Sequence, residues 1–539
     1  MIDEADYIVV GAGSAGCVLA AELSANPKHS VLVLESGPMD SSFLISMPRG
    51  IGKLLSPDNE HVWAYDIVKD QTGAKETWLK GRAIGGSSSI NGMVYARGFA
   101  GDYDRWAEAG CTGWGSDSML PHLIAHEDHA FGASPERGVG GPLRITGHPV
   151  DEADADARGL CDAFLAASAQ AGTPTVQDTN MASDGGAGYQ PRNIYQGKRQ
   201  SAAKAFLHPA SSRPNLTIEH SVDVLRVLFK DKTVVGVEVT DNSSPDGKKV
   251  IRCNREVILS AGAIESPKLL QLSGIGSADK LAALGVPIVV DSPNVGQNLR
   301  EHYFMQMKFR VTKGSLNNNF QGPKLIWNVL RYLLVQSGPM ANAAQECIAY
   351  IKTREGLSRP DCQLGAGLYS LENSPQGPVL DKQPGLTIGG YHMHPRSQGE
   401  VMITSADPSA KPYIFANYLA DEEDQMASVA MLRYIRNIAQ QPALKDWIVN
   451  EFDPGNDYQS DAELLAAYRS LGMTAYHVSG TCRMGADDAS VVDPQTKVRG
   501  VDGLRVVDTS IFPELISGNT NAATMAAGRN AAHIILNSK

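Results

Sequence analysis

Apolar and polar positions are arranged in blocks whose period changes along the chain. Tyr7-Ile8-Val9-Val10 is a continuous apolar run, followed by small residues from Gly11 to Gly16, a longer apolar-rich stretch from Cys17 to Ser24, and a second run at Val31-Leu32-Val33-Leu34. Short, β-branched runs flanking a helix-length stretch predict strand, glycine turn, helix and strand, that is, a parallel β-α-β unit. Between residues 36 and 80 the periodicity lapses into chain punctuated by proline and glycine, the kind of segment that wraps a ligand. Helical spacing returns from Ala153 to Ala171, and again at Met426, Val429, Leu432, Ile435 and Ile438. A second strand-rich block runs from Leu216 to Leu259, with Pro245-Asp246-Gly247 as a turn between two of its strands. Residues 306–470 mix strand and helix patterns without a nucleotide motif, which assigns them to a substrate domain.

The chain has 539 residues, 42% hydrophobic and 20% charged, enough to bury a large core in two connected domains. A net charge of -11 and the lack of a basic run exclude a nucleic-acid surface. Seven scattered cysteines form no C-x-x-C pair and read as reduced thiols, and no metal site is expected. The first residues run straight into a strand, leaving no room for a signal peptide, so a cytoplasmic protein is expected. No stretch approaches the roughly 20 apolar residues of a membrane span. The nearest, Leu325 to Val335, is short and broken by Asn328 and Arg331. It is expected to pack beside the substrate cavity, although peripheral contact with a membrane stays open.

Gly11-Ala12-Gly13-Ser14-Ala15-Gly16 is G-x-G-x-x-G between a strand and a helix, the context in which that motif binds a dinucleotide. Gly11 permits the tight turn, Gly13 lets pyrophosphate approach the backbone, and Gly16 lets helix and strand close on each other. Free N–H groups and the positive helix end then face the phosphates. Glu35, ending the second strand, can accept hydrogen bonds from a ribose hydroxyl. These residues alone do not separate FAD from NAD.

Gly81-Arg82-Ala83-Ile84-Gly85-Gly86-Ser87-Ser88-Ser89-Ile90-Asn91, followed by Met93, Tyr95, Arg97 and Gly98, is too rich in small residues for an ordinary helix and can lay backbone amides against a flat polar ligand. This stretch resembles the first characteristic pattern of the glucose–methanol–choline (GMC) oxidoreductases. Gly262 to Gly276 resembles the second, and the likeness continues through Val295 to Leu299 with His302, and through a C-terminal block. The resemblance implies a discontinuous Rossmann-like α/β FAD-binding domain (1–150, 196–305 and 471–539) and an α+β substrate-binding domain (151–195 and 306–470) whose sheet roofs the flavin. It implies FAD with adenosine near Glu35, Ser36 and Val222, pyrophosphate on Gly11 to Gly16, and Ser87, Asn91, Gly92, Met93 and Val94 toward the isoalloxazine. Arg82, Gly86, Ala261, Thr520 and Asn521 complete the cofactor contacts implied. The family attaches flavin covalently through a histidine where this chain has Ile90, so noncovalent FAD is expected.

Alcohol oxidation needs a base for the hydroxyl proton, and a histidine with a pKa of about 6.5 suits the task. The chain holds 13 histidines. Tyr476 to Gly485 resembles the family's catalytic-histidine segment, which implies His477 as base and, at the family's His-or-Asn position, Asn519 as its partner. An asparagine cannot take the proton but can hold the substrate oxygen. Asp508 either serves the flavin side or caps the last helix. Trp63, Tyr65, Tyr391, His392, His394 and Tyr476 are candidates for the pocket, a partly aromatic set that suits a primary aryl or aliphatic alcohol. Electrons then pass to oxygen or a quinone-like acceptor. The competing reading is a hydroxynitrile lyase on the same scaffold, against which Asn519 argues. A hydrolase or P-loop enzyme lacks its motif here: neither G-x-S-x-G nor G-x-x-x-x-G-K-[ST] occurs.

Overall fold

A computed structural model describes residues 1–147, 154–245, 247–374 and 377–538. Asp246, in the turn expected at 245–247, and Ala153, at the start of the expected helix, lie outside the described residues. The helix itself runs Ala155–Gln170 behind an Asp154 cap.

The predicted β-α-β unit is present as Glu4–Val10, Ser14–Leu23 and Val31–Glu35. Its strands join Leu216–His220, Lys248–Leu259 and Leu504–Val506 in one parallel array, with Thr233–Thr240 and Val224–Lys230 added antiparallel at one edge. Register places Val10 beside both Leu34 and Leu259, and Leu259 beside Val506. Four strands drawn from the start, middle and end of the chain therefore finish at one level. The loops beyond them, at Gly11, Glu35, Ser260 and Asp508, all open on the carboxyl edge of the sheet, where open α/β sheets bind ligands.

The second sheet runs in the order Ile448–Asp453, Tyr303–Val311, Gly385–His392, Cys362–Gly367, Cys347–Ile351 and Gly186–Tyr189, antiparallel throughout. Its alternation sorts two faces. Met305, Met307, Phe309, Leu364 and Ile388 turn to a core shared with Leu160 and Phe164 of one helix and Leu432 and Ile435 of Glu422–Gln440. Phe304, Gln306, Gln363 and Tyr391 turn the other way, over the cavity described below.

The segment at 36–80 departs from its expected irregularity. Val62–Val68 and Lys75–Gly81 form an antiparallel hairpin, Tyr65 opposite Trp78. Its second strand is polar enough (Lys75, Glu76, Lys80) to hide the alternation. Met426 also departs from the helical core expected of it. It is exposed while Val429, Leu432, Ile435 and Ile438 are buried.

Candidate active site

The carboxyl edge of the parallel sheet and the outer face of the second sheet enclose a cavity of about 770 Å³. Its floor is the glycine turn. A side chain at Gly16 would fall 1.9 Å from the Gly11 carbonyl oxygen, so helix and strand can close only on a glycine there. A Cβ on Gly86 would stand 2.7 Å from the Gly13 Cα, which is how the second glycine-rich segment lies backbone to backbone on the first. Gly11, Gly13, Ser14 and Ala15 line the cavity, and no side chain caps the helix that follows Gly13. Ser14 Oγ donates to Asn521 Oδ1 at 2.7 Å, joining the first helix to the head of the last, Asn521–Asn537.

Glu35 receives the Ala12 and Gly37 N–H groups at 2.9 Å each, one on each carboxylate oxygen. Burial pushes its pKa up to about 7 against the pull of those two donors. Ser36 and Val222 lie beside it on the cavity wall. Arg82 stacks on Trp63 at 4.7 Å, and its Nε is buried without a partner. Ser87, Ile90, Asn91, Gly92, Met93, Val94, Ala261 and Thr520 also line the cavity, so the expected cofactor residues converge, with Gly16 just behind them. Ser88 and Ser89, by contrast, donate to the Gly85 and Ile84 carbonyls.

Asp508 caps the short turn Thr509–Ile511, accepting from Ser510 N at 2.8 Å, and also receives the Gly262 N–H and the Ser266 hydroxyl. The last helix starts 13 residues later, so the expectation of a cap on that helix is corrected. Asp508 also lines the cavity.

Beneath the second sheet, His477 is held on three sides. Its Nδ1 lies 2.9 Å from His302 Nδ1, its Nε2 lies 3.0 Å from Asn519 Nδ2, and its backbone N–H donates to Glu301 Oε1 at 2.7 Å. His302 Nε2 is 2.8 Å from the Met393 carbonyl oxygen, which can only accept. Proton positions follow from that end. His302 carries its proton on Nε2 and accepts on Nδ1, so His477 donates from Nδ1 and keeps its lone pair on Nε2, facing the Asn519 amide. Gln363 Nε2 donates to Asn519 Oδ1 at 3.3 Å, which fixes the amide with its NH2 toward the imidazole. Burial, His302 and the Lys80 ammonium hold the His477 pKa well below 6.5, so the imidazole stays neutral.

Tyr476 has a positive φ of 65°, a conformation costly for a bulky residue, and this turn presents His477 to the cavity. The turn is tied down by Lys80 Nζ on the Tyr476 carbonyl (3.0 Å) and by the Tyr476 N–H on Thr474 Oγ1 (2.8 Å). The Thr474 hydroxyl donates in turn to Glu301. Burial raises the Glu301 pKa to about 8, opposed by Lys80.

Four of the expected pocket residues, Trp63, Tyr65, Tyr391 and Tyr476, line the cavity. Tyr65 donates to Glu265 Oε1 at 2.8 Å, and the Tyr391 hydroxyl is buried without a partner. His392 and His394 do not line it, a correction that strand period explains for the first. His392 follows Tyr391 on one strand and points to the opposite face, 3.0 Å from the Asp361 carbonyl. His394, beyond the strand, sits 3.2 Å from Ser517 Oγ. Sequence reasoning missed Lys80, Glu301, Gln363, and Arg199, whose guanidinium donates to both the backbone and side-chain oxygens of Asn91. Gln345 and Phe304 join the cavity from the second sheet and its approach.

The unpartnered Arg82 Nε, the side-chain-free floor and the uncapped helix end fit an extended dinucleotide lying along the carboxyl edge. Comparison with known proteins gives its kind. Residues 5–304 and 395–528 match the two models of the GMC oxidoreductase family. Human mitochondrial choline dehydrogenase is 40% identical over 99% of this chain and 90% of its own. Alcohol dehydrogenase [acceptor] of Pseudomonas putida is 37% identical over 98% of this chain and 95% of its own. The crystal structure of pyridoxine 4-oxidase from Mesorbium loti superposes with a TM-score of 0.88 at 30% identity, covering 99% of this chain and 100% of that one. The chain therefore belongs to the GMC oxidoreductases, FAD-dependent enzymes that oxidise CH–OH donors.

Proposed function

We propose that the protein oxidises an uncharged primary alcohol, aliphatic or aryl, to the aldehyde, with His477 as the base and Asn519 holding the substrate oxygen. The observation that carries this reading is the hydrogen-bond chain from the Met393 carbonyl through His302 to His477, which leaves an unprotonated Nε2 at the cavity beside an amide donor. The alcohol hydroxyl takes the amide's place on that lone pair and gives up its proton to Nε2. Asn519 Nδ2–H then donates to the substrate oxygen as charge develops on it. FAD, once bound, supplies the acceptor for the hydride leaving the carbinol carbon.

The surroundings of His477 support an uncharged substrate. The second sheet offers Phe304, Gln306, Gln363 and Tyr391 to the cavity. The cavity's carboxylates, Glu35, Asp223, Glu265 and Asp508, all come from elsewhere. Glu265 is engaged by Tyr65 and Lys268, and Asp508 by Ser266 and Gly262. A quaternary ammonium such as choline therefore finds no carboxylate on the roof. Anaerobic flavin reduction by a panel of benzyl, medium-chain and long-chain alcohols together with choline tests this. The uncharged alcohols are expected to give the higher kcat/KM, and a preference for choline overturns the substrate assignment.

A further inference from the structure

The helix Gly322–Val335 inverts the usual arrangement, because its most apolar face points outward. Pro323, Ile326, Trp327, Leu330, Leu333 and Leu334 recur at spacings of three and four and form an exposed stripe. Trp327 is 65% exposed and Leu334 80%. The inner face is narrower: Leu325, Val329 and Tyr332 pack on Met47, Leu44 and Phe320. Phe43, itself exposed, extends the apolar surface through its edge contact with the Tyr332 ring, 5.8 Å between centroids. Single exposed apolar residues are ordinary, but a continuous stripe of this kind marks an interaction surface.

Charge indicates what covers it. The chain as a whole is acidic, with 59 aspartates and glutamates, yet none occurs between Glu301 and Glu346. Lys324 is exposed in the first turn of the helix, and Lys198 Nζ lies 3.1 Å from the Gln336 amide at its other end. An outward apolar stripe containing a tryptophan, flanked by lysines and free of acids, is the composition of a helix that lies in the plane of a bilayer surface. We propose that this protein docks on an anionic lipid bilayer through the helix Gly322–Val335, with Trp327 and Leu334 inserted among the acyl chains. No helix of the described residues is long and apolar enough to cross the membrane, so the contact is superficial.

The position of the helix relates docking to the cavity. Met47, under its inner face, belongs to the segment that continues into Ile51 and Leu55 on the cavity wall. Arg49, between them, stacks on Phe320, which packs against the helix, and on Tyr369, which lines the cavity. The helix and the layer of side chains beneath its inner face thus stand between the docked face and the cavity. A bilayer there brings apolar alcohols, which partition into it, close to the site.

The test is co-sedimentation of the FAD-loaded enzyme with vesicles of phosphatidylcholine mixed with phosphatidylglycerol, together with fluorescence quenching by brominated lipid. Wild type is expected to pellet with the vesicles and to lose fluorescence from Trp327, a loss abolished in Trp327→Phe. The double variant Trp327→Gln, Leu334→Gln changes exposed side chains only and should oxidise alcohol with a soluble dye acceptor at the wild-type rate. Its partition coefficient should fall by more than about tenfold. Wild-type protein left in the supernatant, or equal binding by the double variant, overturns the proposal. So does light scattering that shows a wild-type dimer which the double variant dissociates, since the face then covers a second copy.

Discussion

Replacing His302 by leucine isolates what that residue does for His477. Leucine keeps an apolar side chain against the Tyr391 ring, which stacks on His302 at 4.3 Å, but it cannot accept the His477 Nδ1 proton. A buried donor left without a partner costs about 1–3 kcal/mol. The imidazole escapes that cost only by moving its proton to Nε2, where it faces the Asn519 NH2 donor to donor and has no lone pair for the alcohol. Taking the alcohol proton turns the imidazole into a cation whose Nδ1–H has lost its acceptor, so the transition state loses about that much stabilisation and anaerobic flavin reduction should slow by about 5- to 150-fold. The assay is stopped-flow reduction at saturating alcohol, with FAD content measured from the visible absorbance. His302→Asn, whose side-chain oxygen can accept the Nδ1 proton, should recover part of the rate. Wild-type reduction in a His302→Leu enzyme that carries its full FAD would refute the tautomer argument.

Three further outcomes follow from the same geometry. Because Ile90 lines the cavity where a covalent attachment would need a nucleophile, acid precipitation should release all FAD into the supernatant, and flavin in the washed pellet contradicts this. Glu35→Ala leaves the Ala12 and Gly37 N–H groups without their partner and should raise the FAD Kd in titrations of the apoprotein, at about 1–3 kcal/mol per buried group left unpaired; an unchanged Kd removes Glu35 from the site. Lys80 depresses the His477 pKa, so its removal in Lys80→Met should raise it, and the rate loss on acidification should begin at higher pH than in wild type. An unmoved acid limb shows that the ammonium has no influence on the base.

Much of the cofactor half was legible because its residues are dictated by backbone geometry. Gly11, Gly16 and Gly86 stand where a Cβ has no room, or where φ is positive, and such positions leave glycine in the sequence whatever surrounds them. His477 and Asn519 could be picked out only through resemblance, since neither their spacing nor their chemistry separates them from other histidines and asparagines. The structure brings them to 3.0 Å. What stayed hidden is support from distant chain. Lys80 acts on Tyr476 across 396 positions and Arg199 on Asn91 across 108, and no local pattern encodes such pairs. His392 was misplaced because adjacent strand residues face opposite sides, and choosing between Tyr391 and His392 required the register of the second sheet. The apolar stretch Leu325 to Val335, expected to pack beside the substrate cavity, lies in the helix Gly322–Val335 and leaves Ile326, Trp327, Leu330, Leu333 and Leu334 exposed, because an apolar run does not say which of its side chains packing will bury.

The central claim is that His477 takes the proton of the substrate alcohol, and single-turnover flavin reduction in His477→Ala tests it most directly. The cofactor cradle lies on other elements, so the variant should bind FAD normally while the anaerobic reduction rate falls by about 10²- to 10⁴-fold. The ionisation that governs reduction in wild type should vanish from its pH profile. If the variant, loaded with FAD, is reduced at the wild-type rate with the wild-type pH dependence, the base is another group and the account of this site is wrong.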